Sequence, residues 1–229
     1  MIDLHSHILP FVDDGSPSLE RSLEMLLESQ QAGVTDIVVT PHYRGKFNKS
    51  ILELNQSFLQ FKQVAQQKGV AVNLYLGQEI YWDKNFKSNL EKGVIAGINN
   101  GKYILVECPY GEEQDVTEIV YEVKTTGYIP VVAHVERYPY ISLEDVKEIK
   151  NMGAIVQVNA GSLVAKDNRI DRKKVKKLFK QGLVDIVSSD AHAHRQNYMQ
   201  KAFALVQKKY GKDTADAVFI QNAKKIIQG

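Results

Sequence analysis

Five of the six histidines in this chain stand in short motifs, interspersed along the chain with motifs that carry carboxylates. His5 and His7 are one residue apart in Asp3-Leu4-His5-Ser6-His7. His42 closes Thr40-Pro41-His42, Glu79 closes Gly77-Gln78-Glu79, and Glu107 closes Leu105-Val106-Glu107. His134 opens His134-Val135-Glu136-Arg137, and Asp190 and His192 share Ser189-Asp190-Ala191-His192. Taken singly, each is most simply a loop residue or a solvated charge. Their joint placement points instead to metal binding. Mixed imidazole and carboxylate ligands suit zinc, manganese or iron rather than a thiolate-selected metal. So many ligands exceed the needs of one ion, which implies two or three. Divalent ions ~3.5–4 Å apart serve hydrolysis by generating hydroxide and stabilising the attacked and leaving oxygens.

Phosphate esters would also need fixed positive charge. Arg137 lies three residues after His134 and Arg195 three after His192, and a guanidinium matches phosphate oxygens with paired donors. A plain surface role competes evenly for Arg195. Arg44 is a further and weaker candidate. Other routes fail on the residues present. The position that a cysteine phosphatase would fill with Arg, six after Cys108, holds Gln114. The chain has no Asp-x-Asp-x-Thr, no phosphate-binding Gly-rich loop and no Gly-x-Ser-x-Gly elbow.

Seven short apolar runs must position these groups: residues 2–4, 35–39, 70–76, 102–106, 129–133, 154–158 and 184–188. Helical patterns separate most of them, at Leu19–Gln31, 48–68 and 116–126, with two more helices near 198–210 and 213–227. Runs such as Ile37-Val38-Val39 are continuous rather than alternating, as in strands buried on both faces of a parallel sheet. Seven βα units in this length predict a barrel related to the eight-fold form, with a doubly wound open sheet as runner-up. In a parallel barrel the strand ends that carry the motifs open on one face. The period of two sets His5 and His7 on the same side of a strand.

The chain has 229 residues, 44% hydrophobic and 24% charged, with a net charge of +2. That suits one globular domain over residues 1–229 and provides no general field for nucleic acid or membrane. The Lys- and Arg-rich stretch 166–180 reads as a solvated helix with Val175, Leu178 and Phe179 turned inward. A single cysteine, no leader-like start and no apolar run near the ~20 residues of a membrane span lead us to expect a cytoplasmic protein.

Asp3-Leu4-His5-Ser6-His7-Ile8-Leu9-Pro10, followed by Asp13-Asp14-Gly15, resembles the opening of the PHP (polymerase and histidinol phosphatase) superfamily. Thr40-Pro41-His42-Tyr43, Gly77-Gln78-Glu79-Ile80, His134-Val135-Glu136-Arg137-Tyr138 and Ser189-Asp190-Ala191-His192 narrow the likeness. They resemble the bacterial PHP-type protein-tyrosine phosphatases of capsule and exopolysaccharide loci, the CpsB/YwqE type. The resemblance implies a distorted (β/α)7 TIM-like barrel with three divalent metals, often manganese, with iron, zinc, cobalt or magnesium as alternatives. It implies His5, His7, Glu79 and Asp190 at one metal, Glu79, Glu107 and His134 at a second, and Asp14, His42 and His192 at a third. Asp14 enters only through this resemblance.

The family's phosphate-binding arginines match Arg137 and, less directly, Arg195. The usual position of the second, five residues after the last His, holds Asn197. The implied activity is hydrolysis of phosphotyrosine in protein, with the tail of a bacterial tyrosine kinase as partner. Three alternatives stand beside it: a small-molecule phosphatase such as one for histidinol phosphate, an amidohydrolase, and a non-catalytic metal-binding module.

Overall fold

The computed structural model describes residues 1–110, 113–164 and 169–229. Its strands are β1 (Ile2–Ser6), β2 (Asp36–Val39), β3 (His42–Tyr43), β4 (Asn73–Leu76), β5 (Glu79–Tyr81), β6 (Tyr103–Glu107), β7 (Ile129–Val132), β8 (Ile155–Asn159) and β9 (Ile186–Ser188). Every strand pair is parallel, in the orders β1-β2-β4 and β3-β5-β6-β7-β8-β9. Ile37, Val38, Val39, Ile104, Leu105 and Val106 are all fully buried, as the continuous apolar runs required.

The two groups of strands are stitched together at their ends. The Gly77 N–H donates to Val39 O at 2.8 Å and the Glu79 N–H to Pro41 O at 3.1 Å, so β3 and β5 prolong β2 and β4 after a short break. At the outer edges, the His7 N–H donates to Ala191 O and the Asp190 N–H to His5 O, both at 2.9 Å, bringing β1 beside β9. The result is an α/β fold with a curled parallel sheet.

Two apolar clusters flank the strands. An inner one joins Ile2, Leu4, Val38, Leu105, Val131 and Ile186 to Ala223, Ile226 and Ile227 of the last helix. An outer one packs Ile37, Val39, Ile104, Val106, Val156 and Val158 against the helices. Strand alternation separates the two sets, so Glu107, Gln157 and Asn159 share the inner side with Leu105. In β1 the register to β2 shifts between Asp3 and Ser6. An inserted residue reverses strand parity, and this is how Leu4 reaches the inner cluster while adjacent His5 also turns inward.

Helices α1 (Leu19–Gln31) and α2 (Ile51–Gln67) begin at Ser18 and Ser50, whose hydroxyls accept from Arg21 and Glu53 backbone N–H groups. The Ser50 cap with Glu53 starts α2 three residues beyond the expected 48. Val70, expected in a strand, still donates to Ala65 O and closes that helix, so β4 begins at Asn73. Helices α3 (Phe86–Glu91), α4 (Val116–Thr125), α5 (Leu143–Asn151) and α6 (Ala160–Val164) follow, and all but α4 are additions to the expected set. The basic stretch is helix α7 (Arg169–Lys180) from residue 169, with Val175, Leu178 and Phe179 buried, while its start at Lys166 lies outside the described residues. After α8 (Met199–Tyr210), the expected final helix divides into α9 (Lys212–Asp216), a wider π turn at Ala217–Gln221 and α10 (Asn222–Gln228).

Candidate active site

The motif residues gather at one rim of the sheet. His5 lies inside β1 and His7 just beyond it. His42 begins β3, Glu79 begins β5 and Glu107 ends β6. His134 and Asp190 stand just past β7 and β9, both with left-handed backbone (φ 31 and φ 50). Non-glycine residues seldom adopt that conformation, and it turns both chains sharply inward. A cavity of about 220 Å³ is lined by Asp14, His42, Arg44, Glu79, Glu107, Tyr110, His134, Arg137, Asp190, His192 and Arg195. His5 and His7 lie fully buried behind it, against Glu79 and Asp190.

Glu79 is the hub. Its Oε2 is 3.3 Å from His5 Nε2, 3.2 Å from His7 Nε2 and 2.8 Å from His42 Nδ1, while Oε1 is 2.8 Å from His134 Nε2. Asp190 Oδ1 lies 3.7 Å from His5 Nε2, 3.6 Å from His7 Nε2 and 3.4 Å from His192 Nδ1. Asp14 Oδ1 is 3.4 Å from His42 Nε2 and 3.8 Å from His192 Nε2. Four triads bring donor atoms within 4.8 Å of one another: His5-His7-Asp190, His5-Glu79-His134, His42-Glu79-Glu107 and His7-His42-His192.

The hydrogen bonds behind these residues decide what their free atoms can do. His7 Nδ1–H donates to Asp13 Oδ2 at 2.7 Å, and His5 Nδ1–H to Gln157 Oε1 at 3.2 Å. His192 Nδ1–H donates to the Asp190 carbonyl at 3.0 Å. In each neutral ring the Nε2 lone pair is then bare, and those of His5 and His7 face each other at 3.2 Å. Two lone pairs at that distance repel unless a cation or a proton lies between them. His42 Nδ1 and Glu79 Oε2 are buried without a hydrogen-bond partner although they approach to 2.8 Å. Donor atoms that converge in this way, each oriented from behind, fit divalent metal ions.

The charges agree with that fit. Burial would raise the Asp13 carboxyl, but His7 and two backbone N–H groups hold it down at about 2. Burial, then the neighbouring His7, lowers His192 to about 3, so its ring is in the neutral, ligating form. Burial, then the charge of Glu79, pushes Glu107 up to about 8. Burial opposes charging of His5 and His7, yet Glu79, Asp13 and Asp190 pull both upward. A carboxylate field that attracts a proton attracts a divalent cation more strongly.

Three arginines rim the cavity. Arg137 Nη1 is 3.3 Å and Arg195 Nη1 2.8 Å from the same oxygen, Asp190 Oδ2. Arg44 Nη1 contacts both Glu107 oxygens at 2.9 Å. Arg195 thus faces the cavity, while Asn197 caps Met199 and bonds Ser29 Oγ. His194 is exposed at the loop surface.

Residues outside the ligand motifs complete the site. Gln157 Nε2 donates to Asn159 Oδ1 and Asn159 Nδ2 to Asp190 Oδ2, both within 2.9 Å, linking His5 to Asp190 through β8. Motif reading passes over Gln157 and Asn159 because amides in a strand carry no local signal. Their inward parity with Glu107 could have found them.

A curled parallel α/β sheet with a histidine–carboxylate cluster at its strand ends defines a metallohydrolase-like class of protein. A family model described as "Capsular polysaccharide synthesis, CpsB/CapC" matches residues 1–228, and the chain belongs to this family. It is 36% identical over 197 residues to the "Putative tyrosine-protein phosphatase CapC" of Staphylococcus aureus, covering 84% of this chain and 77% of the relative. It is 33% identical over 238 residues to "Tyrosine-protein phosphatase CpsB" of Streptococcus pneumoniae, covering 99% and 98%.

Among solved structures, one described as "Crystal structures of YwqE from Bacillus subtilis and CpsB from Streptococcus pneumoniae, unique metal-dependent tyrosine phosphatases" superposes with TM-score 0.92 at 27% identity. It covers 100% of this chain and 94% of that one. A phosphotriesterase homology protein from Escherichia coli shares the fold at TM-score 0.67 and 13% identity, covering 99% and 98%. The motifs and the full-length comparison name the same family.

Proposed function

We propose that this chain is a metal-dependent protein-tyrosine phosphatase acting in capsule or exopolysaccharide synthesis. The observation that carries it is the pair of bare Nε2 atoms of His5 and His7, 3.2 Å apart beside Glu79 and Asp190, with two arginines on Asp190 at the mouth. Its family relatives, named as tyrosine-protein phosphatases, support the same reading.

His5, His7, Glu79 and Asp190 would hold one ion, Glu79, Glu107 and His134 a second, and Asp14, His42 and His192 a third. Of the observed triads, His5-His7-Asp190 falls within the first set, and the other three each join residues of different sets. Glu79 contacts four histidines and suits a bridging ligand. Manganese is our choice of ion for this mixed imidazole–carboxylate, thiolate-free donor set, with iron, zinc, cobalt or magnesium as alternatives. Such ions, when bound, activate water and offset charge on the oxygens around phosphorus.

The side chains do the rest. Arg137 and Arg195 bind the phosphoryl oxygens and hold phosphorus over the Glu79–Asp190 floor. Asp13 and Gln157 keep the Nδ1 protons of His7 and His5 turned away from it. Hydrolysis breaks the phosphorus–oxygen bond to tyrosine. The phenolate leaves with a conjugate pKa of ~10, so water suffices as its proton source.

The substrate we assign is the phosphotyrosine tail of a bacterial kinase, met in the cytoplasm, where the lone buried thiol Cys108 stays reduced. Among the described residues no helix is long and apolar enough to cross a membrane. We count β2 with β3, and β4 with β5, as single broken strands. This gives a seven-unit distorted barrel over one domain of residues 1–229.

Chelation and His7→Ala should each abolish p-nitrophenyl phosphate hydrolysis. Survival of activity in both sinks the metal mechanism. A panel of tyrosine phosphopeptides and small esters, histidinol phosphate included, should rank the peptides first in kcat/KM. The reverse ranking makes this a small-molecule phosphatase, and amide hydrolysis alone moves it to the amidohydrolases.

A further inference from the structure

Tyr110 belongs to none of the ligand motifs, yet it lines the catalytic cavity and is 38% exposed at its mouth. Its hydroxyl is 3.4 Å from Nδ1 of His134, the ring nitrogen opposite the one that faces Glu79. Its ring carries the Arg137 guanidinium, whose carbon is 5.2 Å from the ring centroid. The ring is supported from beneath by Tyr138 at 4.8 Å. Tyr138 is fully buried, and its hydroxyl accepts the Cys108 N–H at 2.9 Å, two residues before Tyr110 in the chain. His134 also meets the buried Tyr138 ring at 5.6 Å, while Tyr110 reaches both His134 and Arg137 from the cavity mouth.

We propose that Tyr110 is a positioning residue with two separable tasks, one toward the metals and one toward phosphate. The inference rests on the metallophosphatase reading above. With the Nδ1–H of His134 donating to the Tyr110 hydroxyl, the Nε2 lone pair is left free for a metal. An oxygen acceptor behind a ligating imidazole fixes both tautomer and ring angle. This matters more here because His134 stands on a left-handed backbone (φ 31) that its neighbours must maintain. The ring face performs the second task. A cation over an aromatic face is held in place without losing its hydrogen-bond donors, so Arg137 keeps its N–H groups for phosphate.

The two tasks divide between Tyr110→Phe, which keeps the ring, and Tyr110→Leu, which keeps neither feature. Manganese affinity of the chelated full-length chain is read by calorimetry. KM for p-nitrophenyl phosphate is read at saturating manganese. Tyr110→Phe should weaken manganese binding about tenfold and leave KM within about twofold. Tyr110→Leu should show the same loss and also raise KM about fivefold, the range of one cation–π contact.

Thermal midpoints of the chelated variants report fold retention, and Tyr110→Met replaces the Leu variant should that one unfold. Wild-type manganese affinity in Tyr110→Phe, or an equal rise of KM in both variants, overturns the assignment. Wild-type protein that neither binds manganese nor cleaves the ester sinks the metallophosphatase reading itself. An active wild type with both variants unchanged sinks the role of Tyr110 alone.

Discussion

Asp13 and Asp14 are adjacent carboxylates with opposite surroundings. Asp13 turns inward, accepts from His7 Nδ1 at 2.7 Å and from the His42 N–H at 3.0 Å, and is held at about 2 by His7 against the upward push of burial. Asp14 is half-exposed, 3.4 Å from His42 Nε2. One orients a ligand and the other can be one. Asp13→Ala removes the acceptor that keeps the His7 proton on Nδ1, and outer partners of this kind are worth about 10- to 100-fold in metal affinity. We expect a loss in that range by calorimetry with manganese, and an unchanged affinity would detach Asp13 from the site.

At this scale the sequence was legible for His5, His7, His42, Glu79, Glu107, His134, Asp190 and His192, because strand-end placement shows in the order of apolar runs. Asp14 came only with the family likeness. Asp13 was visible in the same motif, but its role depends on which way a loop carboxylate turns.

The elements hold these side chains by close approach. Gly15 closes the turn that carries Asp13 and Asp14, and a Cβ there would lie 2.1 Å from His7 O and 2.2 Å from His7 Cβ. Gly15→Ala must therefore push that turn away from β1. We expect manganese affinity and kcat both to fall by about tenfold or more, and the thermal midpoint of the metal-free chain to fall with them, because the clash is with backbone atoms of His7. A fully active Gly15→Ala enzyme would show that the turn need not approach His7.

The turn Val135–Arg137 is fixed from behind. Lys174 Nζ donates to Val135 O and Tyr138 O at 3.0 and 2.7 Å, and Glu136 Oε1 accepts the Asn159 N–H at 2.9 Å. Burial lifts the Glu136 carboxyl to about 7 against the Ser162 and Asn159 hydrogen bonds. Between its ordinary 4.5 and about 7, the folded chain keeps a proton that the unfolded chain has released. Stability must therefore fall as pH rises through that window. Urea midpoints at pH 5 and pH 8 should show a smaller fall for Glu136→Gln than for the parent. An equal fall would assign the pH dependence elsewhere.

Across the molecule, the strand-end rim gathers Asp14, Glu79, Glu107 and Asp190 against three arginines in one small cavity, with Asp13 behind His7. Cations that bind only the folded chain stabilise it in proportion to their saturation. With free metal at ~100 times its dissociation constant the gain is about 2.7 kcal/mol for each ion held, or about 5–10 °C per ion for a chain of this size. Chelation should lower the thermal midpoint by that amount and added manganese should restore it. A midpoint indifferent to both would leave the cluster without a structural metal role.

The sequence alone determined the alternation of apolar strands and helices, the parallel sheet, and the identity of the candidate ligand side chains. Each of these follows from local periodicity or from residue chemistry. Strand breaks at Thr40-Pro41 and Gly77-Gln78, the shift of parity in β1, and the joining of β1 to β9 were decided only in three dimensions. So were the roles of Gln157, Asn159 and Tyr110. The reason is the same for all of them: each depends on a partner far away in the chain. The energy of a Gln157 or a Tyr110 contact is set by packing that no neighbouring residue records.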